Sequence, residues 1–267
     1  MSEQIMVSAS VLDFLTEIHS KREDTEERSK ALFRHAFDNA YRDMSIHTIA
    51  YTEEYKSYLT GDSATNKKNK ERVKNSIFSY VCKSFGLSGV DSDWDEKLVR
   101  KFGNSEKEFN SWHKSMCDNL TKICDNADKV TLKDKNGDCS VELGKIICHV
   151  DKKIKSVFTY GQAQKIVNMM LKYLYIYDQC DGRDSFQNVI RFFHVPLDSF
   201  VLKEIYNRFK REDNQRKTNF KEEKYNVIRW SKIESYEEYM NCQRSIKKFL
   251  HDDNAFMWEL ENWPFEK

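Results

Sequence analysis

The chain reads as mainly α-helical, a helical body that carries one small β-hairpin. Two prolines and eight glycines among 267 residues are too few for the turns of an all-β fold. Apolar residues recur every three or four positions through most of the chain, the period of amphipathic helices. The one break in that period, Lys135-Asn136-Gly137-Asp138, is a two-residue turn signal between alternating segments, which predicts a hairpin over about 130–143.

Taken in order, Val11, Leu12, Phe14, Leu15 and Ile18 fit one face of an opening helix. Thr25 is placed to cap a second, with Ala31, Leu32, Phe33, Ala36, Phe37 and Ala40 inward. The stretch 61–70 is polar and reads as a loop. It leads to a helix with Val73, Ile77, Phe78, Val81 and Phe85, closed by Gly86. Trp94, Leu98 and Val99 predict a short helix over 92–102 that stops at Gly103. Phe109, Trp112, Met116, Leu120 and Ile123 form the next apolar stripe. After the hairpin, Ile146, Ile147, Val150 and Ile154 predict a helix over about 143–155, followed by a turn at Gly161 and a nearly all-apolar helix. Residues 177–192 read as a polar connection with a short helical turn. Asp198 then opens another helix, and Ser235 with Glu238 forms a capping box for a helix to about Leu250. Phe256, Trp258, Leu260, Trp263 and Phe265 make an aromatic end that docks on the body.

The net charge of +1 excludes a globally basic nucleic-acid binder but leaves room for one basic face. Seven cysteines with no C-x-x-C pair read as buried free thiols in a reducing compartment, not as a metal or iron–sulfur centre. With no long apolar run and no signal-like start, the expectation is a cytoplasmic monomer without membrane contact.

Two short motifs carry chemistry. Gly161 between two helices points backbone N–H groups of Gln162, Ala163 and Gln164 outward, and the helix dipole adds positive potential, which suits a phosphate. Lys152, Lys153 and Lys155 lie just upstream, beside Lys145. The same residues also read as an ordinary turn and a solvated basic face. Lys165 falls in the first turn of an apolar helix, where desolvation and the dipole both disfavour its charge, and a neutral lysine forms Schiff bases. Asp198, in His194-Val195-Pro196-Leu197-Asp198, reads as an N-cap or as the partner of that lysine.

Gly161-x-x-x-Lys165 at a hairpin, followed by Val195-Pro196-Leu197-Asp198 at a later helix start, resembles the helix-hairpin-helix DNA glycosylases of the 8-oxoguanine glycosylase type. The spacing of the two motifs is similar to that of the archaeal branch. Ala163 stands where the family has its second hairpin glycine, and Thr159-Tyr160 where it has leucine-proline. The four-cysteine cluster of the endonuclease III relatives is absent.

The resemblance implies a helix-hairpin-helix glycosylase-like helical fold. Its parts are an N-terminal helical region over 1–142, a core over 143–212 and a C-terminal helical region over 213–267. It implies excision of a flipped base, with Lys165 attacking the sugar C1′ and Asp198 assisting, and with lyase activity if a Schiff base forms. If Lys165 stays protonated, Asp198 activates water and the enzyme is monofunctional. The hairpin residues Gly161 to Gln164 would hold DNA phosphate, and Tyr160, His194, Trp230, Trp258 and Trp263 are candidates for the base pocket or for core packing. DNA carrying a modified base is the expected partner, which would associate the protein with the nucleoid, and no metal or cofactor is called for. The base is an oxidised purine or a bulky modified base; viral hypermodified DNA would make this an antiviral defence enzyme. A non-catalytic helix-hairpin-helix DNA-binding or scaffold protein is the alternative of another class.

Overall fold

The computed structural model describes residues 25–45, 49–51, 58, 62–87, 93–125, 128–134, 136–149, 159–203, 230–250 and 254–262. The opening helix predicted before Thr25, together with Lys152, Lys153, Lys155 and Trp263, lies outside them. The fold is mainly helical with small antiparallel sheets. In chain order the elements are α1 (Thr25–Ser45), β1 (Ile49–Tyr51), α2 (Ser63–Ser84), α3 (Trp94–Phe102), α4 (Glu106–Thr121), β2 (Lys129–Asp134) and β3 (Gly137–Glu142). They continue with α5 (Leu143–Ile146), β4 (Ile147–His149), α6 (Tyr160–Cys180), α7 (199–203), α8 (Tyr236–Leu250) and α9 (Ala255–Asn262).

Helix α6 is the axis of the molecule. Every residue from Tyr160 to Asp178 is buried, as expected of a helix that is apolar on nearly all sides. Helices α1 and α4 are its principal neighbours, with α8 and the short 3₁₀ turn Trp230–Lys232 packed near its start. Buried apolar residues from all three predicted regions join one cluster, from Leu32 and Phe33 through Phe109 and Ile166 to Phe256 and Leu260. Each large side chain so buried contributes roughly 1.5–3 kcal/mol.

The capping signals hold where the helix ends are described. Gly86 (φ +70°) and Gly103 (φ +73°) close α2 and α3 in the left-handed region, which costs glycine little. Ser235 Oγ accepts the Glu238 N–H at 3.2 Å. The hairpin is present, with β2 and β3 paired antiparallel and Asp134 opposite Gly137. Burial of Val130, Leu132 and Val141 fixes that register.

Two element predictions are corrected. Of the segment 61–70, residues 63–70 are helix and not loop: α2 begins at Ser63, and the Asp62 carboxylate accepts the Ala64 and Thr65 N–H groups at 3.1 and 3.0 Å. Its lysines are good helix formers, and Asn69 anchors it by holding Lys133 through both backbone polar groups. The helix predicted over 143–155 is, within the described residues, a single turn followed by β4, which pairs antiparallel with β1. A strand pairing distant in sequence overrides the helical period of Ile146 and Ile147.

Candidate functional site at the start of α6

Thr159 is the N-cap of α6, and Thr159 and Gln162 form a reciprocal capping box at 3.2 and 2.9 Å. Gly161 is helical, and its N–H donates to the Ile233 carbonyl at 2.9 Å. The Gly161, Gln162 and Ala163 N–H groups are therefore occupied by the protein, and Gly161, Gln162, Ala163 and Gln164 are all buried. This corrects the phosphate-holding turn expected there. Glycine is needed for a different reason: a Cβ at 161 would overlap the Trp230 carbonyl oxygen. Gly161→Ala is expected to lower stability by about 1–3 kcal/mol, read as a shift of the urea midpoint at unchanged slope.

The two residues expected to meet do meet. Lys165 Nζ lies 3.8 Å from Asp198 Oδ2, and it stands 4.6 Å from the centre of the Trp230 ring. The carboxylate and the ring face are both partners for an ammonium. Asp198 serves two purposes, since its Oδ1 accepts the Val201 N–H at 2.9 Å and caps α7. The Lys165 and Asp198 side chains keep 10% and 21% of their surface exposed, so this pair sits at the edge of the core and not inside it.

A backbone clamp sets their register. Pro196 has no N–H, and the backbone polar groups of Val195 and Leu197 on either side of it are satisfied by side chains. Gln164 accepts the Leu197 N–H at 3.2 Å and donates to the Leu197 carbonyl at 3.0 Å. Gln243 on α8 does the same to Val195, at 3.2 and 2.7 Å. Gln164 precedes Lys165 and Leu197 precedes Asp198, so the clamp brings the ionisable pair together as a consequence.

Behind the clamp lies a buried polar chain. Asn168 donates to Gln164 and to the Tyr239 hydroxyl, both at 2.9 Å, and its oxygen is 2.9 Å from His113 Nε2. His194 engages Tyr239 and Asn110 at 2.9 and 2.8 Å. Both ring nitrogens of His194 are thus engaged, and Tyr160 is buried against Tyr236 and Tyr239. These two candidates for a base pocket are corrected to framework positions. Trp230 and Trp258 are half-buried, and of these Trp230 borders the pair.

Burial lowers the His113 pKa to about 4, partly opposed by its bond to Asn168, and lowers that of His194 well below the ordinary value. Both rings are neutral at pH 7. The unfolded chain takes up these protons below about pH 6.5 while the folded chain resists them, so stability is fully present above that value and falls as pH drops toward 4. His113 alone lowers stability by about 2 kcal/mol between pH 7 and pH 5, and His194 acts in the same direction. Urea midpoints measured across that range check it.

Two turns further along α6, Lys172 Nζ donates to Glu259 Oε1 at 2.7 Å, with both side chains buried. Desolvation brings the Lys172 pKa down to about 8 against the pull of Glu259, and desolvation raises that of Glu259 against the pull of Lys172. Tyr173 donates to Asp43 Oδ2 at 2.7 Å, and burial raises the Asp43 pKa despite that bond. Lys172, Glu259 and Asp43 were not singled out by sequence. The available signals were a second lysine seven residues after Lys165 in an apolar helix and a lone glutamate in Ala255-Phe-Met-Trp-Glu-Leu.

Comparison with protein-family models, curated proteins and solved structures found no match to this chain. Cys82, Cys117, Cys139, Cys180 and Cys242 are free thiols, the first, second and last of them buried. Among the described residues no helix is long and apolar enough to cross a membrane.

Proposed function

We propose that the chain is a DNA glycosylase in which Lys165 and Asp198 act on a flipped nucleotide. The observation that carries the reading is the 3.8 Å approach of Lys165 Nζ to Asp198 Oδ2, between two motifs 33 positions apart in sequence, at an edge that keeps some exposure. Asp198 Oδ2, paired with Lys165 Nζ at 3.8 Å, is the acceptor for the lysine proton in this reading. The freed amine attacks C1′, the glycosidic bond breaks, and the base leaves with the bonding pair and takes up a proton. Ring opening of the sugar then gives a Schiff base on Lys165 that permits strand cleavage by β-elimination. The nucleotide has to leave the duplex stack to reach the pair, and the substrate is an oxidised purine or a bulky modified base of the kind viral DNA carries.

Borohydride trapping on oligonucleotides carrying oxidised, alkylated or hypermodified bases tests this. A covalent adduct at Lys165 is the expected result; an adduct that survives Lys165→Gln refutes the assignment. A second reading, a non-catalytic scaffold protein, is favoured by one observation: the Gly161 N–H is bonded to the Ile233 carbonyl, a donor that a phosphate clamp would need. It predicts no adduct and no base release from any of these oligonucleotides.

A further inference from the structure

We propose that Lys67, Lys68 and Lys70 on α2, with Lys129 and Lys133 on β2, form a surface that binds the phosphate backbone of duplex DNA. The choice of DNA among polyanions rests on the glycosylase reading. That reading needs a grip on the backbone, and at the start of α6 the Gly161, Gln162 and Ala163 N–H groups are already bonded within the protein.

Charge is segregated on α2. Its 22 residues hold six basic side chains and one acidic one, a charge of +5 in a chain whose total is +1, so the remainder is net acidic. Lys68 and Arg72, and likewise Lys70 and Lys74, are like charges four residues apart, an arrangement that weakens a helix. An anionic partner relieves that repulsion. All five lysines of the surface are exposed. The carboxylates beside them have other partners: Glu71 meets Arg34 at 3.4 Å, Asp138 meets Arg72 at 3.8 Å, Glu142 meets Lys145 at 3.4 Å and Asp128 meets Lys83 at 2.9 Å. Among the described residues none of the five lysines forms an ion pair.

The two elements are locked together, so the surface is formed before a ligand arrives. Asn69 Nδ2 donates to the Lys133 carbonyl at 2.7 Å, its Oδ1 accepts the Lys133 N–H at 3.0 Å, and Arg72 donates to the Thr131 carbonyl at 3.0 Å. Lys68 adjoins that clamp in the chain. On β2, Lys129, Thr131 and Lys133 alternate with the buried Val130 and Leu132, which puts both lysines on the outer face of the hairpin. Lysines of this kind are point charges for phosphate and carry no base sequence preference. Over 62–76 no large apolar side chain is exposed, so the surface offers nothing to enter a lipid layer.

The test is binding of an end-labelled duplex without modified bases, followed by fluorescence anisotropy through a salt titration. Lys67→Gln/Lys68→Gln/Lys70→Gln is compared with Lys107→Gln/Arg244→Gln/Lys248→Gln, which removes the same charge from exposed positions on α4 and α8. The α2 variant is expected to bind at least about tenfold more weakly at about 0.1 M salt, with the slope of log affinity against log salt smaller by about 2–3. The α4/α8 variant is expected to stay within about twofold of the wild type. Equal losses in the two variants, or a wild type that binds no duplex, overturn the proposal. So does tighter binding to single-stranded RNA of the same length or to phosphatidylserine vesicles. Glutamine is a good helix former and removes the repulsion, so the urea midpoint of the α2 variant is expected to equal or exceed that of the wild type; a lower midpoint assigns the lysines to packing and overturns the proposal. Borohydride trapping is run in parallel. A loss confined to the α2 variant without any adduct removes the glycosylase reading and leaves the surface standing, and an adduct at Lys165 with duplex binding unchanged in the α2 variant does the reverse.

Discussion

Lys165→Gln is expected to abolish the adduct that borohydride would trap on DNA and to leave the fold intact. Lys165 has one ion pair at 3.8 Å and lies on the Trp230 face, and glutamine keeps most of its stem while losing the only nitrogen able to form a Schiff base. Asp198 requires a finer experiment because it does two things. Asn caps a helix as well as Asp does, so Asp198→Asn preserves the bond to Val201 and stability with it. It removes the proton acceptor, and single-turnover base release is expected to fall by about 10²–10⁴-fold. Asp198→Ala loses the cap too, with a further loss of about 1 kcal/mol of stability. Equal rates for Asp198→Asn and wild type, at equal stability, would show that the carboxylate is only a cap.

Lys172→Met is expected to destabilise the protein by about 3–5 kcal/mol, a loss that a urea titration resolves readily. The cause is Glu259, which is 2% exposed and keeps a buried carboxylate after its ammonium partner at 2.7 Å is gone. Removing both charges, in Lys172→Met/Glu259→Leu, restores most of the stability, since apolar side chains of similar volume replace a buried pair at little net loss. A double variant as unstable as the single one would mean that packing, not the uncompensated charge, accounts for the loss.

The legible part of the fold was local. The α1, α3, α4 and α8 stripes, the glycine stops at Gly86 and Gly103 and the Ser235 cap depend on residues within one or two turns of each other. The polar start of α2 escaped because Asn69 makes its anchoring contact with the distant Lys133. The strand β4 escaped because its partner is β1. At Gly161 the structure supplies a reason that spacing did not show: a backbone brought in from 230–233 leaves no room for a Cβ.

The same division applies to the site. Sequence alone determined that the molecule is helical, that an apolar helix begins near Tyr160 and that Lys165 and Asp198 are its chemically conspicuous residues. These follow from spacing and from side-chain type. Only the tertiary structure decided what surrounds them. The peptide clamps of Gln164 and Gln243, the buried chain from His113 to His194 and the Lys172–Glu259 pair each join residues far apart in sequence. A buried polar group must find a partner wherever the fold places one. The sequence shows which groups will need such partners, and the three-dimensional packing alone selects them.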